Sequence, residues 1–507
     1  MSEGDEQISE PKVEPCEEKS SQPEETSSCG AGYKPVYKVL VSNLPKFYAI
    51  KDIKKLLLKN DIQLPKKVAP NKQVAYLEYA EEDDARAACQ AVLRIVYKGT
   101  KLGAKAQAML DATEPLRHQA YEEQLANKQQ ESKHLRGQLL RQLHGWHEGT
   151  LGEIRACPSG KAAQRNKCEF TIGYDLQREN IQVGFQVARA GAVAGADKCS
   201  LVSDAMKAVL RDFRRFVADS GAQPFSLTGS EATGYWRQLT LREFQGRILA
   251  IAYVRPSLSP EEDQKIQESL VEMMKEQPKV ASLYWVDLVN SSDTPQFRLL
   301  HGEAAVEEKL LELRFRVSPG AFFQTVSLAA ESLYSLLKEE MDALDGAQSV
   351  LADICCGTGT IGLLLAPTVK FVLGLELVSQ AVEDARFNAE LNGITNVRFV
   401  QGRAEDTFTS FQDYLPEDAK SAPVIGVLDP PRAGLHGKIM GAIRRMEKMK
   451  ELLYVSCDPR QASKNFEDLC RPFSNKFAGP AFTLTTITPV DMFPNTRHFE
   501  WLLHFRR

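Results

Sequence analysis

Short, largely apolar runs cut by glycine, aspartate and proline dominate the last third of the chain. Ser349–Ile354, Lys370–Leu375, Ile425–Leu428 and Leu452–Ser456 have the composition of strands buried on both faces of a parallel sheet. Leu328–Leu344 and Ala381–Ile394 read as helices, so strands and helices alternate as in a doubly wound fold. His498–Phe505 reads as a last strand. In the middle of the chain, Cys168–Gly173, Trp236–Arg242 and Ile248–Val254 read as strands and Leu201–Ser220 as an amphipathic helix. Near the start, Tyr37–Ala108 reads as βαββαβ, with strands at Val39–Leu44 and Gln73–Tyr79 and helices at Ile50–Lys59 and Glu82–Leu93. Tyr121–Leu143 has few apolar positions and predicts a solvated helix or linker. The expected division is an acidic tail (1–33), a small α+β domain (34–109), a helical linker (110–147), a central α/β domain (148–310) and a doubly wound α/β domain (311–507).

Candidate chemistry gathers where the C-terminal strands end. In DICCGTGT (Asp353–Thr360), Gly357 and Gly359 make a tight turn into a helix, where a Cβ would obstruct a ligand touching the backbone. The next strand ends in Glu376, placed to accept both hydroxyls of a ribose. That pair suits NAD or S-adenosylmethionine, and equally an ordinary turn beside an exposed glutamate. In LDPPR (Leu428–Arg432), Asp429 ends a buried strand at the sheet edge where open α/β folds bind ligands, and two prolines stiffen the rim. Arg432 stands where amino-group methylases of similar motif carry an aromatic, which argues against that chemistry. In VSCDP (Val455–Pro459), Cys457 lies just past a strand, with Asp458 as helix N-cap and Pro459 as first helical residue. The helix N-terminus and Arg460 are expected to favour its thiolate; otherwise it is a small buried hydrophobe. His498 and Glu500 share one face by the strand period, and an apolar strand would desolvate Glu500 and raise its pKa towards that of a base. The alternative is an exposed strand carboxylate.

Together with SPGAFFQ (Ser318–Gln324), GLEL (Gly374–Leu377), LDPPRAGLH (Leu428–His436), YVSC (Tyr454–Cys457) and D-x-F-P-x-T-x-H-x-E ending at Glu500, these stretches resemble the TrmA/RumA-type RNA uracil-5-methyltransferase family, in that family's order. The resemblance implies a Rossmann-like class I S-adenosylmethionine-dependent methyltransferase domain behind a central α/β RNA-binding domain. It implies Cys457 as the nucleophile that adds to uracil carbon 6 and Glu500 as the acceptor of the carbon 5 proton. It implies S-adenosylmethionine as cofactor, in contact with Gln324, Cys355, Thr360, Glu376 and Asp429. Its animal tRNA-modifying members imply tRNA as partner, with uridine 54 of the T-loop as target and other RNA as a further substrate. The family usually has Asn-Pro after the nucleophile; here Asp458 is expected to oppose ionisation of the thiol.

The resemblance also implies RNA contacts in the central domain, for which Arg165, Lys167, Arg237 and Arg242 are the candidates, structural salt bridges being the other reading. The N-terminal βαββαβ pattern resembles an RNA-recognition motif (RRM). Leu40 and Val74 replace stacking aromatics there and Tyr76 keeps an outward place, so weak RNA contact or protein docking is expected.

Charge and cysteine content narrow the rest. Met1–Cys29 holds nine acidic residues and two lysines, which leaves the remainder of this −4 chain mildly basic. A tail of that composition is expected to be disordered, and an acidic N-terminus is neither a secretory signal nor a transit peptide. No apolar run is long enough for a membrane. Ten cysteines without C-x-x-C predict reduced thiols in the cytosol or nucleus. Ribosomal-RNA members of the family carry a four-cysteine iron–sulfur site; Cys157, Cys168 and Cys199 do not reproduce its spacing, so no cluster and no metal are expected. Two alternatives stand beside tRNA methylation: an RNA-binding or tRNA-folding protein whose methylation is dispensable or lost, and a ribosomal-RNA uracil-5-methyltransferase.

Overall fold

The computed structural model describes residues 37–45, 49–71, 74–79, 82–97, 100–108, 113–143, 145, 147–175, 178–187, 192–228, 231–290 and 292–507. The expected acidic tail lies outside them. The chain forms two compact units that divide after Ala106. No helix among the described residues is long and apolar enough to cross a membrane.

In the first unit, one four-stranded sheet has the order Lys67–Asn71, Val74–Tyr79, Tyr37–Ser42, Gly103–Ala108. Helix Ile50–Lys59 buries Ile53, Leu56 and Leu57, which share a core with Val39, Val41, Ala75 and Leu77. Strand alternation then sends Tyr76 to the opposite face, where it is half-buried.

In the second unit, the central region builds a seven-stranded sheet. Its order is Ala192–Gly195, Ile181–Val187, Lys167–Tyr174, Trp236–Phe244, Arg247–Val254, Val280–Asp287, Arg298–Gly302. Helix Asp204–Asp219 starts where the Ser203 hydroxyl accepts from Met206 N at 3.1 Å, and it presses Met206, Leu210 and Phe213 onto Trp236 and Leu239.

The C-terminal sheet has eight strands: β1 (Thr150–Leu151), β2 (Val350–Ile354), β3 (Phe371–Glu376), β4 (Val397–Gln401), β5 (Val424–Leu428), β6 (Met449–Ser456), β7 (Thr483–Val490) and β8 (Glu500–Arg506). Their order is β4-β3-β2-β5-β6-β8-β7-β1. The first five are parallel; β8 runs antiparallel between β6 and β7. The order reverses between β2 and β5, so the ligand crevice of this sheet opens there. Helices flank it: α1 (Tyr121–Gln142), α2 (Ser327–Ala343), α3 (Thr360–Leu365), α4 (Ser379–Leu391), α5 (Gly437–Arg445) and α6 (Pro459–Cys470). Leu351, Val427, Leu453, Val455 and Leu502 face a core shared with Leu333 and Leu337 of α2. Ala352, Leu428, Leu452 and Leu503 face the other core, with Phe466 of α6 and Leu135 and Leu139 of α1.

Two expectations need correction. Tyr121–Leu143 is not a solvated linker: α1 buries Gln124, Lys128, Ser132, Leu135 and Leu139 along one stripe against the C-terminal sheet. Three of those five side chains are polar, so apolar periodicity missed them. The last strand starts at Glu500, and His498 lies exposed in the preceding turn, so the two do not share a strand face.

Candidate active site

Strand alternation gathers four expected groups, and with them Asp353, on one face of the C-terminal sheet. On β2, β5, β6 and β8 the residues Leu351, Val427, Val455 and Leu502 point towards α2. Asp353, Asp429, Cys457 and Glu500 each lie two positions along from one of them, so they follow to the same side at the sheet's ligand edge. Glu376 stands in the same phase as Val372 of β3, another residue of that core. The β6–β8 ladder pairs Ser456 with Trp501, and one step further brings Cys457 level with Glu500.

Burial sets the electrostatics of this cluster. Glu500 is 3 % exposed and its Oε2 has no hydrogen-bond partner. Desolvation, then the nearby Asp429, pushes its carboxyl well above the usual range. Asp429 is pushed up to about 7 by burial, against a hydrogen bond from Gln324 Nε2 at 3.4 Å to Oδ2. Asp353 also rises to about 7; its Oδ2 accepts from Gly362 N at 2.9 Å and its Oδ1 has no partner. Tyr334 of α2 is buried against this group, and desolvation with the charges of Asp429, Glu500 and Asp353 drives its hydroxyl far up. Nothing in its helix pattern distinguished Tyr334 in the sequence.

The nucleophile expectation needs a correction in sign. The Cys457 thiol is pushed up to about 11, by burial first and then by Glu500 and Asp429. The cation that opposes the rise is Arg432, not Arg460, whose guanidinium pairs with Glu131 of α1. Nor is Asp458 a leading influence on the thiol. Its Oδ1 accepts from Gln461 N at 3.2 Å and its Oδ2 from Gln461 Nε2 at 2.6 Å, as an N-cap to α6.

The remaining residues divide between a ligand turn and its supports. Glu376 accepts from Gly357 N at 3.0 Å through Oε2, and from Leu377 N and Val378 N at 2.7 and 2.9 Å through Oε1. Leu377 and Val378 are 61 % and 56 % exposed beside it. Gly357 has a φ of 56°, and a Cβ there would meet nothing within 4 Å, so the turn faces open space. Cys355 takes a left-handed φ of 68° next to it, and its thiol is pushed up to about 12 by burial and Glu376. The Thr360 hydroxyl, in contrast, is buried at 3.2 Å from that of Thr358, so α3 uses it internally. A carboxylate with one lone pair to spare, an apolar step beside it and a glycine turn open to solvent fit the ribose, adenine and amino-acid parts of S-adenosylmethionine.

The SPGAFFQ loop is held by the central domain. Arg242 is fully buried and donates through Nη1 to the carbonyls of Ser318, Pro319 and Ala321 at 3.0, 3.0 and 2.7 Å. It is therefore a loop clamp and not a phosphate contact. Buried Asn166 adds a second tie, donating to Gln324 O at 2.8 Å and to Ser327 Oγ at 2.9 Å. Of the other basic candidates, Arg165 is exposed and Lys167 pairs with Glu169 at 2.7 Å. Arg237 lies over the Phe225 ring at 4.2 Å and donates to Leu288 O and Val289 O. Tyr76 belongs to the first unit. Phe322, which no residue-by-residue argument singled out, is 66 % exposed in the same loop as Gln324.

Comparison with known proteins identifies the family of the chain. The family model described as tRNA (Uracil-5-)-methyltransferase matches residues 300–507. The mouse protein named tRNA (uracil-5-)-methyltransferase homolog A is 36 % identical, over 93 % of this chain and 84 % of its own. The zebrafish homolog B is 33 % identical over 79 % of this chain and 87 % of its own. A crystal structure of Pyrococcus abyssi tRNA (uracil-54, C5)-methyltransferase with S-adenosyl-L-homocysteine superposes with a TM-score of 0.57 at 22 % identity, over 82 % of this chain and 92 % of that one, and so shares the fold. With that identity sustained along nearly its whole length, the chain belongs to the tRNA (uracil-5-)-methyltransferase family.

Proposed function

We propose that this chain methylates carbon 5 of uridine 54 in the T-loop of tRNA through a covalent bond between Cys457 and the base. The observation that carries the reading is the placement of Cys457 level with a buried, partly unpartnered Glu500 at the mouth of the donor crevice. Carbon 5 of uracil is a weak nucleophile. Bond formation between the Cys457 thiolate and carbon 6 moves the C5=C6 electron pair towards O4, which makes carbon 5 electron-rich. Glu376, the Gly357 turn and the Leu377–Val378 step would hold S-adenosylmethionine, which would supply an electrophilic methyl group to that carbon, the S–CH3 bond breaking to release S-adenosyl-L-homocysteine. Glu500 then takes the proton from carbon 5, the C5=C6 bond re-forms and the Cys457 thiolate leaves carbon 6. A carboxyl whose pKa burial has raised is a stronger acceptor once ionised than a solvated one.

The other assignments follow from what surrounds the site. Gln324, tied to Asp429, reads as a polar contact for the methyl donor, and exposed Phe322 as an aromatic face for the base. A uridine within a folded loop has to leave its stack to reach Cys457. Arg165 reads as a phosphate contact of the central domain, and Tyr76 as the single stacking ring of a weak N-terminal RNA surface.

The test is trapping on a denaturing gel. Wild type, Cys457→Ala and Glu500→Gln are incubated with S-adenosylmethionine and tRNA carrying 5-fluorouridine. Fluorine cannot leave carbon 5 as a proton does, so wild type and Glu500→Gln stay bonded to RNA and Cys457→Ala does not. A wild type that binds this tRNA yet gives no shifted band would refute the covalent reading and favour an RNA-binding role.

A further inference from the structure

Helix α1 carries a buried ion pair that the mechanism above does not use. Lys128 is 2 % exposed, and its Nζ donates to Asp491 Oδ1 at 2.5 Å and to Phe493 O at 3.0 Å. Asp491 Oδ2 accepts from Tyr121 Oη at 2.9 Å, and the same hydroxyl accepts from Cys157 N at 2.8 Å. Asp491 Oδ1 also accepts from Phe493 N at 3.3 Å. One turn along α1, Gln124 donates to Asn495 Oδ1 at 3.2 Å and accepts from Asn495 N at 2.9 Å. Asn495 has a φ of 63°, a left-handed turn that these bonds support. One turn the other way, Trp501 donates its Nε1 hydrogen to Ser132 Oγ.

These contacts share one object. Val490 and Glu500 are ladder partners on β7 and β8, so residues 491–499 form the loop that delivers Glu500 into the sheet. Gln124 and Lys128 hold that loop, and Ser132 holds the residue immediately after Glu500. A helix made only to cover the sheet would use apolar side chains at these positions. Leu135 and Leu139 do that further along the same stripe. The polar half of the stripe is spent on the approach to the base.

We propose that Lys128, through Asp491, is a positioning residue for proton removal by Glu500. The proposal rests on the covalent reading above. It separates two steps: Lys128 touches neither Cys457 nor the donor turn, so attack on carbon 6 and methyl transfer survive its loss, while departure of the carbon 5 proton slows. The adduct then persists on ordinary uridine, which a general loss of folding or of tRNA binding would not produce.

The experiment uses the full chain with unmodified tRNA and S-adenosylmethionine. Lys128→Met keeps the unbranched stem of the side chain, one atom shorter, and removes its charge. The expected result is a kcat lower by roughly one to two factors of ten, the range that a misplaced catalytic group produces. KM for tRNA stays within about twofold of wild type, and a tRNA-bonded band accumulates on a denaturing gel as it does for Glu500→Gln. With 5-fluorouridine tRNA, Lys128→Met is trapped as fully as wild type. Wild-type turnover in Lys128→Met, a lower turnover without an accumulating band, or a parallel loss of 5-fluorouridine trapping each overturns the proposal. Wild type that is not trapped by 5-fluorouridine tRNA overturns the covalent reading itself, a different outcome from any of these. Should Lys128→Met not fold, Tyr121→Phe removes only the hydroxyl that Asp491 Oδ2 accepts from, and the same readouts decide.

Discussion

Cys457 and Glu500 stand level across the β6–β8 ladder, one step beyond the Ser456–Trp501 pair, and Glu500 lies close enough to raise the proton affinity of the thiol. The thiol sits near 11 because burial and two carboxyls outweigh the single opposing guanidinium of Arg432. Removing a carboxyl charge therefore lowers the thiol pKa, and removing Arg432 raises it. In alkylation of the substrate-free enzyme by iodoacetamide, the wild-type rate at Cys457 is expected to be still climbing at about pH 10, since the thiolate is the reacting form. Glu500→Gln and Asp429→Asn should move the profile to lower pH and Arg432→Gln to higher pH. Coincident profiles for all four proteins would show that these neighbours do not control the thiol.

Asp353 makes a separate pH prediction, on stability. Its folded pKa of about 7 lies above the ordinary 3.8, so the folded state binds this proton more tightly than the unfolded chain does. Stability then falls as pH rises from about 4 to about 7, and the full penalty, up to about 4 kcal/mol, is present above that window. Asp353→Asn keeps an oxygen for Gly362 N and removes the charge. Its melting temperature should exceed that of wild type at pH 8, with the gap shrinking steadily towards pH 4. A gap that is constant with pH would mean that the Asp353 carboxyl is not the source.

The strands that carry the site were legible because each is a short apolar run stopped by a chemically distinct residue. Val350–Ile354, Phe371–Glu376 and Val424–Leu428 differ from their sequence-based bounds by no more than one residue at either end. The N-cap role of Asp458 was equally legible, being local. What failed was set by residues far along the chain. The buried face of α1 is polar because its partners Asp491, Asn495 and Trp501 lie more than 360 positions away, and no periodicity reports them. Cys457 looked activated from its own helix, but its neighbours Asp429 and Glu500 arrive on β5 and β8. Arg237 and Arg242 look alike within one strand, yet only Arg242 is fully enclosed by the 318–321 loop.

That difference between basic residues is testable by salt dependence. A phosphate contact contributes to the slope of log Kd against log salt, by about 0.7 to 0.9 per charge neutralised, whereas a buried clamp contributes nothing. Arg165→Ala should reduce the slope of tRNA binding by somewhat under one unit and leave the melting temperature near that of wild type. Arg242→Met leaves three carbonyls without their donor, which costs roughly 3 kcal/mol or more. It should lower the melting temperature and leave the slope unchanged. Filter binding at four or five salt concentrations with both variants distinguishes these outcomes, and a slope change in Arg242→Met would return that residue to the RNA surface.

Leu377 and Val378 supply the last prediction. Two large aliphatic side chains that stay more than half exposed beside Glu376 gain nothing for the fold of the free chain, so their value lies in what covers them. An adenine ring laid on Leu377 would bury on the order of 50 Å² of apolar surface, about 1.3 kcal/mol and therefore close to tenfold in affinity. Leu377→Ser should weaken binding of S-adenosyl-L-homocysteine by about that factor in a calorimetric titration, while the melting temperature without ligand hardly moves. An unchanged affinity would place the adenine elsewhere and leave Glu376 and the Gly357 turn to hold only the rest of the molecule.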